Sequence, residues 1–280
     1  MAILITGSSG FIGQRLAEAL QPAADVVCMS RGKRRSETTH IQGSFDRFED
    51  LRKLDGFKIE AVVHLAAVTG GSSEEDALAT NVAGTRRLYR YLLDRGCGKF
   101  ITASSIAVPG GLSGDFLPLE LPIPDEHPCL AADAYGFSKA MVEQLTHYFH
   151  RLHSEADFVN LRFGAVVPDD WRLSDEKPIG QMHIPFVQLA HVYVEDIVRA
   201  LLHVLETPLK PGVRTCNVVG ADVSSYGTTL DALREVLGDS CSQYDLSYYG
   251  EVGHERKPIY AMERMYREFG FAPVKRFLEK

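Results

Sequence analysis

The sequence predicts an α/β protein, a doubly wound parallel sheet carrying a small C-terminal lobe. Three observations lead there. Ala2 to Ile5, Val26 to Met29, Ala61 to Leu65, Phe100 to Ala103 and Phe158 to Leu161 are short runs that are nearly all apolar. Runs without polar alternation suit strands buried on both faces. Between them the apolar residues take helical spacing, and alternating strand and helix implies right-handed crossovers within one sheet. Finally, a glycine-rich turn sits between the first strand and the first helix, which is the placement that gives such a turn meaning.

The elements follow in order. Ile12, Leu16 and Leu20 recur every four residues and mark the first helix. A third strand precedes Ser44 and Phe45. Leu78, Val82, Leu88 and Leu92 line a later helix. Pro109 to Pro128 carries five prolines and three glycines and must be a long loop. A helix begins near Ala134 and continues through Met141, Leu145 and Phe149. Val166 to Pro185 is polar, contains proline and reads as a second loop. Loops of this length in a compact domain usually line sites. Beyond them come a strand at His191-Val192-Tyr193-Val194, a helix through Ile197 to Leu205, a strand near Cys216 to Val219 and a helix from Thr229 to Leu237. The last thirty residues are mixed and partly helical.

Size and charge narrow the function. A chain of 280 residues makes one large domain, or one with a small appendage. With 45% hydrophobic and 24% charged residues it is expected to be a soluble globular protein. The net charge of −7 argues against nucleic acid as a partner. No apolar run nears the roughly 18 residues of a membrane helix, and the amino terminus lacks a basic start and a signal-like core. A cytoplasmic protein without membrane contact is expected. Cys28, Cys97, Cys129, Cys216 and Cys241 are scattered without a Cys-x-x-Cys, which fits free thiols in a reducing compartment. His147, His150 and His153 share a helix without an Asp or Cys partner, so a solvated face is expected and no metal.

Thr6-Gly7-Ser8-Ser9-Gly10-Phe11-Ile12-Gly13 is the glycine-rich turn. Gly7 permits the tight turn, Gly10 lets a pyrophosphate approach the backbone, and Gly13 lets the helix pack on its strand. Ser9, Phe11 and Ile12 lie where the helix amino terminus presents free N–H groups and a positive dipole end to phosphates. This is the Rossmann arrangement for a dinucleotide. The expected division is a dinucleotide-binding domain at residues 1–165 and a small substrate-binding lobe at 166–280, with segments of the latter returning to the main domain. The second strand ends Cys28-Met29-Ser30-Arg31-Gly32-Lys33-Arg34-Arg35, with four cations and no acid where a ribose 2′-hydroxyl would need one. Arginine matches a 2′-phosphate with two hydrogen bonds. NADP is therefore favoured over NAD, with Arg31 on the phosphate and Ser30 adding a hydroxyl.

Tyr135 and Lys139 stand four residues apart, on one face of a helix. An ammonium near a phenol stabilises the phenolate and lowers its pKa. A tyrosine tuned in this way can exchange a proton with a hydroxyl or carbonyl.

Together these motifs resemble the extended short-chain dehydrogenases of the NAD-dependent epimerase/dehydratase type, from Ala2 to about Leu205. The resemblance rests on the glycine loop, His64-Leu65-Ala66-Ala67, Asn81-Val82-Ala83-Gly84-Thr85, Ser104-Ser105, Tyr135 to Lys139, Leu161-Arg162-Phe163-Gly164 and Val192-Tyr193-Val194-Glu195-Asp196. It implies Tyr135 as general acid/base and Lys139 as the residue that depresses its pKa and holds the nicotinamide ribose. Ser105 would bond the reacting oxygen. Leu65, Ala66, Ala67 and Asn81 would lie against the dinucleotide, as would Ser44 and Phe45 near the adenine, where relatives carry Asp and an apolar residue. His64 would be structural. The resemblance also implies a homodimer through a four-helix contact that includes the Tyr135 helix.

The pattern departs in two places. Pro109 stands where many sugar-nucleotide epimerases have tyrosine. The stretch from Arg162 to Val194, about thirty residues, is short and shows no arginine clamp beyond Arg172. Trp171, Arg172, Gln181 and His183 are the candidate substrate contacts. The expected function is hydride transfer at a secondary alcohol or ketone of a sugar, sugar acid or nucleotide sugar. The alternative is a non-catalytic NADP(H) sensor or interaction protein on the same fold.

Overall fold

In a computed structural model, the structure describes residues 2–21, 23–32, 38–69, 71–173 and 182–278. Seven strands form one parallel sheet: β1 (Ala2–Thr6), β2 (Asp25–Ser30), β3 (Thr39–Gln42), β4 (Ile59–His64), β5 (Lys99–Ser105), β6 (Asp157–Phe163) and β9 (Gly212–Val218). A separate parallel pair is made by β7 (Ala165–Val167) and β8 (His191–Tyr193). The helices are α1 (Phe11–Leu20), α2 (Phe48–Leu51), α3 (Glu74–Asp76), α4 (Thr85–Leu93), α5 (Ala134–Leu152), α6 (Pro185–Gln188), α7 (Val194–Glu206), α8 (Thr229–Leu237) and α9 (Glu263–Phe269). The strand order is β3-β2-β1-β4-β5-β6-β9. The order reverses between β1 and β4, and at such a switch point the crevice beyond the strand ends is open to a ligand.

The apolar runs are explained by burial on both faces. Ile3, Ile5, Val63, Ile101 and Val159 point to one side, where they pack with Leu16 of α1 and Ile197 and Leu201 of α7. Leu4, Val62, Phe100 and Phe158 point to the other, against Leu88 and Leu92 of α4 and Phe149 of α5. Phe100 and Phe158 stack at 4.9 Å across β5 and β6. Each such side chain contributes about 1.5–3 kcal/mol when removed from water. The edge strand β3 reads Thr-His-Ile-Gln and is only partly covered, so no apolar run announces it.

Two further features differ from expectation. Residues Ala77–Gly84 are π-helical and run directly into α4. The widened turn breaks the expected stripe: Ala77, Asn81 and Gly84 are buried, while Leu78 and Val82 are half-buried. The proline-rich segment is folded down at Phe116 and Ile123, which join Phe186, Leu189, Leu233, Tyr249 and Tyr260 in a third cluster. Asp133 then caps α5 by accepting from the Gly136 N–H at 2.8 Å.

Candidate active site

The carboxyl ends of β1, β2 and β4 lie level, with Thr6 opposite both Met29 and His64. A cleft of about 440 Å³ opens above them. It is lined by Gly7, Ser9 and Gly10 of the glycine loop, Ser30 and Arg31 after β2, Ser44 and Phe45 after β3, and Leu65, Ala66 and Ala67 after β4. Ten residues expected at a dinucleotide from the sequence thus share one wall-to-wall cleft.

The glycines shape the loop. Gly7 has φ +71°, and a Cβ there would stand 2.8 Å from the Ala66 nitrogen. A Cβ at Gly13 would stand 2.8 Å from Ser8 Cα and closer still to the Gly7 carbonyl. The loop is held by Gly7 N–H donating to Met29 O at 3.0 Å and Gly10 N–H donating to Gly7 O at 2.9 Å. No side chain caps α1, so the first N–H groups of that helix, from Phe11, Ile12 and Gly13, have no partner within it. The Ser8 hydroxyl is buried and has no hydrogen-bond partner among the described residues. An uncapped amino terminus beneath a glycine cradle fits the pyrophosphate of a dinucleotide.

His64 fastens this end of the sheet. Its Nδ1 lies 2.6 Å from Thr6 Oγ1 and its Nε2 2.8 Å from Thr85 Oγ1, joining β1, β4 and α4. Burial lowers its pKa to about 3, so the ring is neutral. Phe45 packs edge-on against it at 4.7 Å. Asn81 uses its amide within the protein. Its Oδ1 accepts from Val68 N–H at 2.8 Å, and its Nδ2 donates to Val68 O and Ser138 Oγ, each at 2.9 Å. Asn81 ties the cleft-lining loop residue Val68, beyond the end of β4, to Ser138 of α5 and does not itself line the cleft. Ser30 is buried and donates to Gly32 O at 3.0 Å, with His40 Nε2 2.9 Å away. Arg31 is exposed at the cleft rim. Lys33, Arg34 and Arg35 lie outside the described residues.

Ser105 ends β5, and Tyr135 and Lys139 stand on the first turns of α5 beside it. Tyr135 is half-buried and Lys139 buried. Lys139 Nζ donates to Ala103 O at 2.7 Å and stands 5.6 Å from the centre of the Tyr135 ring. The expected depression of the phenol pKa by Lys139 is not found here. Burial raises the Tyr135 pKa, and Ser105, as its hydrogen-bond partner, works against that rise while the Asp133 carboxylate adds to it. Lys139 is itself lowered to about 8 by burial, with the Glu143 carboxylate opposing the shift. The distance explains the difference, because the ammonium is anchored on a carbonyl and not on the phenol.

Below Lys139 lies a buried network that the sequence reading left out. Glu143 accepts from Ser104 Oγ at 2.5 Å, Arg162 Nε at 2.9 Å and Arg162 Nη2 at 2.8 Å. Arg162 also donates to the carbonyls of Asp125 and His127 at 3.1 and 3.2 Å. The signal was available: Glu143 is one helical turn beyond Lys139. Val68, Thr80 and Asp46 also line the cleft and were not singled out, although each adjoins a recognised motif.

The substrate candidates are not brought together. The Trp171 ring stacks on His191 at 4.5 Å and meets Phe277 edge-on at 5.6 Å. Arg172 turns back onto the carbonyls of Asp169 and Trp171 at 3.4 and 2.8 Å, so both residues fasten their loop. His183 is exposed, and Gln181 lies outside the described residues. No helix among the described residues is long and apolar enough to cross a membrane.

Comparison with known proteins bears on the fold and the family. The chain is 28% identical over 211 residues to UDP-glucose 4-epimerase GEPI48 of Cyamopsis tetragonoloba, a match covering 66% of this chain and 59% of that enzyme. It therefore spans under two thirds of the length of that relative. In fold it is similar to a short-chain dehydrogenase/reductase superfamily protein from Agrobacterium tumefaciens with bound NAD, at a TM-score of 0.72 and 20% identity over 99% of this chain and 94% of that one. It is similar also to UDP-glucose 4-epimerase with UDP-glucose from Thermotoga maritima, at a TM-score of 0.69 and 22% identity over 98% and 94%. The family model described as NAD dependent epimerase/dehydratase matches residues 3–170, the stretch that holds the glycine loop, Ser105, Tyr135 and Lys139. The chain belongs to the NAD dependent epimerase/dehydratase family.

Proposed function

We propose that this chain is an oxidoreductase or epimerase that binds NADP in preference to NAD and acts at a secondary alcohol or ketone of a sugar-like substrate. The observation that carries the reading is the meeting of Ser105, Tyr135 and Lys139 at the carboxyl edge of the sheet, next to a cleft walled by the glycine loop. The bound dinucleotide supplies the hydride chemistry at its nicotinamide ring. Tyr135 delivers a proton to, or takes one from, the substrate oxygen. Burial keeps its phenol protonated, and this favours the acid role near neutral pH. Ser105 holds that oxygen by hydrogen bonding. Lys139, an ammonium close to its titration point, holds the ribose and supplies positive charge beside the forming phenolate.

The NADP preference rests on Arg31 at the cleft rim and the absence of an acid at the end of β2. Residues 166–280 supply the substrate lobe. Arg172, the one arginine of the shortened segment between Arg162 and Val194, is engaged on loop carbonyls and not held out as a pyrophosphate clamp, so a free sugar or sugar acid fits the lobe as well as a nucleotide sugar. We also propose a homodimer through the outer face of α5, where Phe137, Tyr148 and Leu152 are exposed. Light scattering should then give the mass of two chains, and a single-chain mass would overturn it.

The test of function is a panel of sugars, sugar acids, aldehydes and nucleotide sugars offered with NADPH or NADH, read as loss of reduced nicotinamide and as epimerised product. Net oxidation of NADPH with a member of the panel supports the reductase form. Interconversion of stereoisomers with retained cofactor supports the epimerase form. If nothing is turned over with either cofactor, the catalytic reading is wrong.

A further inference from the structure

A second hollow, of about 600 Å³, adjoins the dinucleotide cleft and shares Arg31, Gly43, Ser44 and Asp46 with it. Its remaining lining includes Arg47, Asp50 and Lys53. The backbone fixes how these residues meet. Ser30 pairs with Gln42 across β2 and β3, and Gly43 N–H donates to Ser30 O at 3.0 Å. The turn after β3 is therefore locked beside the end of β2. Within that turn Arg47 N–H donates to Ser44 O at 3.2 Å, and Arg47 O accepts from Leu51 N–H at 3.1 Å. The backbone of Arg47 is thus set by sheet register and by the start of α2.

The charges of the hollow are not equivalent. Lys53 is already paired with Asp50 at 2.5 Å and donates to Gln42 O at 2.9 Å. Asp50 also accepts from Ser44 N–H at 2.9 Å, and the Arg47 charge acts on the same carboxylate without a hydrogen bond. The guanidinium groups of Arg31 and Arg47, in contrast, have no hydrogen bond or ion pair among the described residues. Two unpaired guanidinium groups from different strand ends thus line one hollow beside the expected adenosine end of the cleft. The Asp46 carboxylate and the Asp50 carboxylate, which feels the Arg47 charge, share the hollow with them.

We propose that Arg47 is a specificity-determining residue that, with Arg31, grips the 2′-phosphate of the dinucleotide. The inference deepens the NADP reading above and rests on it. Arg31 alone would hold a phosphate from one side. A second planar fork from the turn after β3 supplies two more charge-assisted hydrogen bonds to a dianionic phosphomonoester. A ribose bearing only a hydroxyl offers that fork nothing to bind.

The test is equilibrium binding of NADPH, NADH and adenosine 2′,5′-bisphosphate to the wild type, Arg47→Ala and Arg31→Ala, read by fluorescence or calorimetry without any turnover. Arg47 is exposed, so Arg47→Ala should fold, and an unchanged thermal midpoint checks that. The proposal predicts that Arg47→Ala weakens NADPH and adenosine 2′,5′-bisphosphate by about tenfold or more and NADH by less than about twofold. Arg47→Lys should recover part of the loss, since a point charge replaces the fork. If the wild type prefers NADPH and only Arg31→Ala removes the preference, the assignment of Arg47 fails and the NADP reading stands. Equal losses for NADPH and NADH in Arg47→Ala would also refute Arg47 as a specificity residue. If the wild type binds NADH as tightly as NADPH, the NADP reading itself fails and this inference falls with it.

Discussion

At the scale of single residues, the account turns on how burial and anchoring tune Tyr135 and Lys139. The Lys139 ammonium is buried and held on Ala103 O, and its pKa falls from the ordinary 10.5 to about 8. The sign of the consequence follows from proton counts. Between pH 8 and 10.5 the unfolded chain keeps this proton while the folded chain has released it, so folding becomes more favourable as pH rises through that window. The wild type should therefore gain stability relative to Lys139→Met from pH 8 upward, measured as urea midpoints of the two proteins. A difference that does not change with pH would contradict the burial of a charged lysine. These residues were readable from the sequence because their spacing is local and their motif is shared with a family. Their electrostatics were not, because the distance between ammonium and phenol depends on the anchor at Ala103, which lies on another element.

At the scale of elements, the glycine loop and α1 carry the most information per residue. Gly7 has a positive φ and Gly13 has no room for a Cβ beside Ser8 and the Gly7 carbonyl, demands set within or next to the turn, so strand, loop and helix could be read directly. Gly13→Ala would drive a methyl group into Ser8 Cα and the Gly7 carbonyl. It should destabilise the protein by about 1–3 kcal/mol, the usual effect of overpacking, and weaken dinucleotide binding with it. Urea unfolding and cofactor titration check both, and a variant with wild-type values in both would show that the loop has slack. Other elements were hidden for physical reasons. The edge strand β3 lacks an apolar run because little covers it. The π-helical turn at Ala77–Gly84 has no sequence period that distinguishes it from α-helix, yet it decides that Asn81 faces Val68 and Ser138. Trp171 and Arg172 suggested substrate contact by residue type alone, whereas their partners, His191 and two loop carbonyls, are set by tertiary packing.

At the scale of the whole molecule, the sheet edge gathers groups that lie far apart in the chain. The glycine loop and the ends of β2, β3 and β4 line one cleft beyond the carboxyl ends of the strands, and Ser105 ends the neighbouring strand β5 beside the first turns of α5. The Glu143–Arg162 pair then ties α5 to β6 and to the carbonyls of Asp125 and His127. Asp125 in turn accepts from Asn217 N–H of β9 at 2.6 Å. A chain of polar contacts thus runs from Glu143, one turn beyond Lys139, to the edge strand β9. The order of the motifs made this gathering legible in outline. The segment between Arg162 and Val194, which bears on substrate choice, carried no comparable pattern.

The measurement that bears most directly on the central claim is a single-turnover comparison of Tyr135→Phe with the wild type, using a substrate found in the panel and saturating cofactor, with the cofactor dissociation constant measured alongside. Loss of the phenolic proton should slow hydride transfer by about 10²–10⁴-fold, the usual contribution of a general acid or base, while cofactor binding stays within about twofold. Transfer at a rate within a few fold of the wild type would show that Tyr135 does not move the proton and would contradict the account.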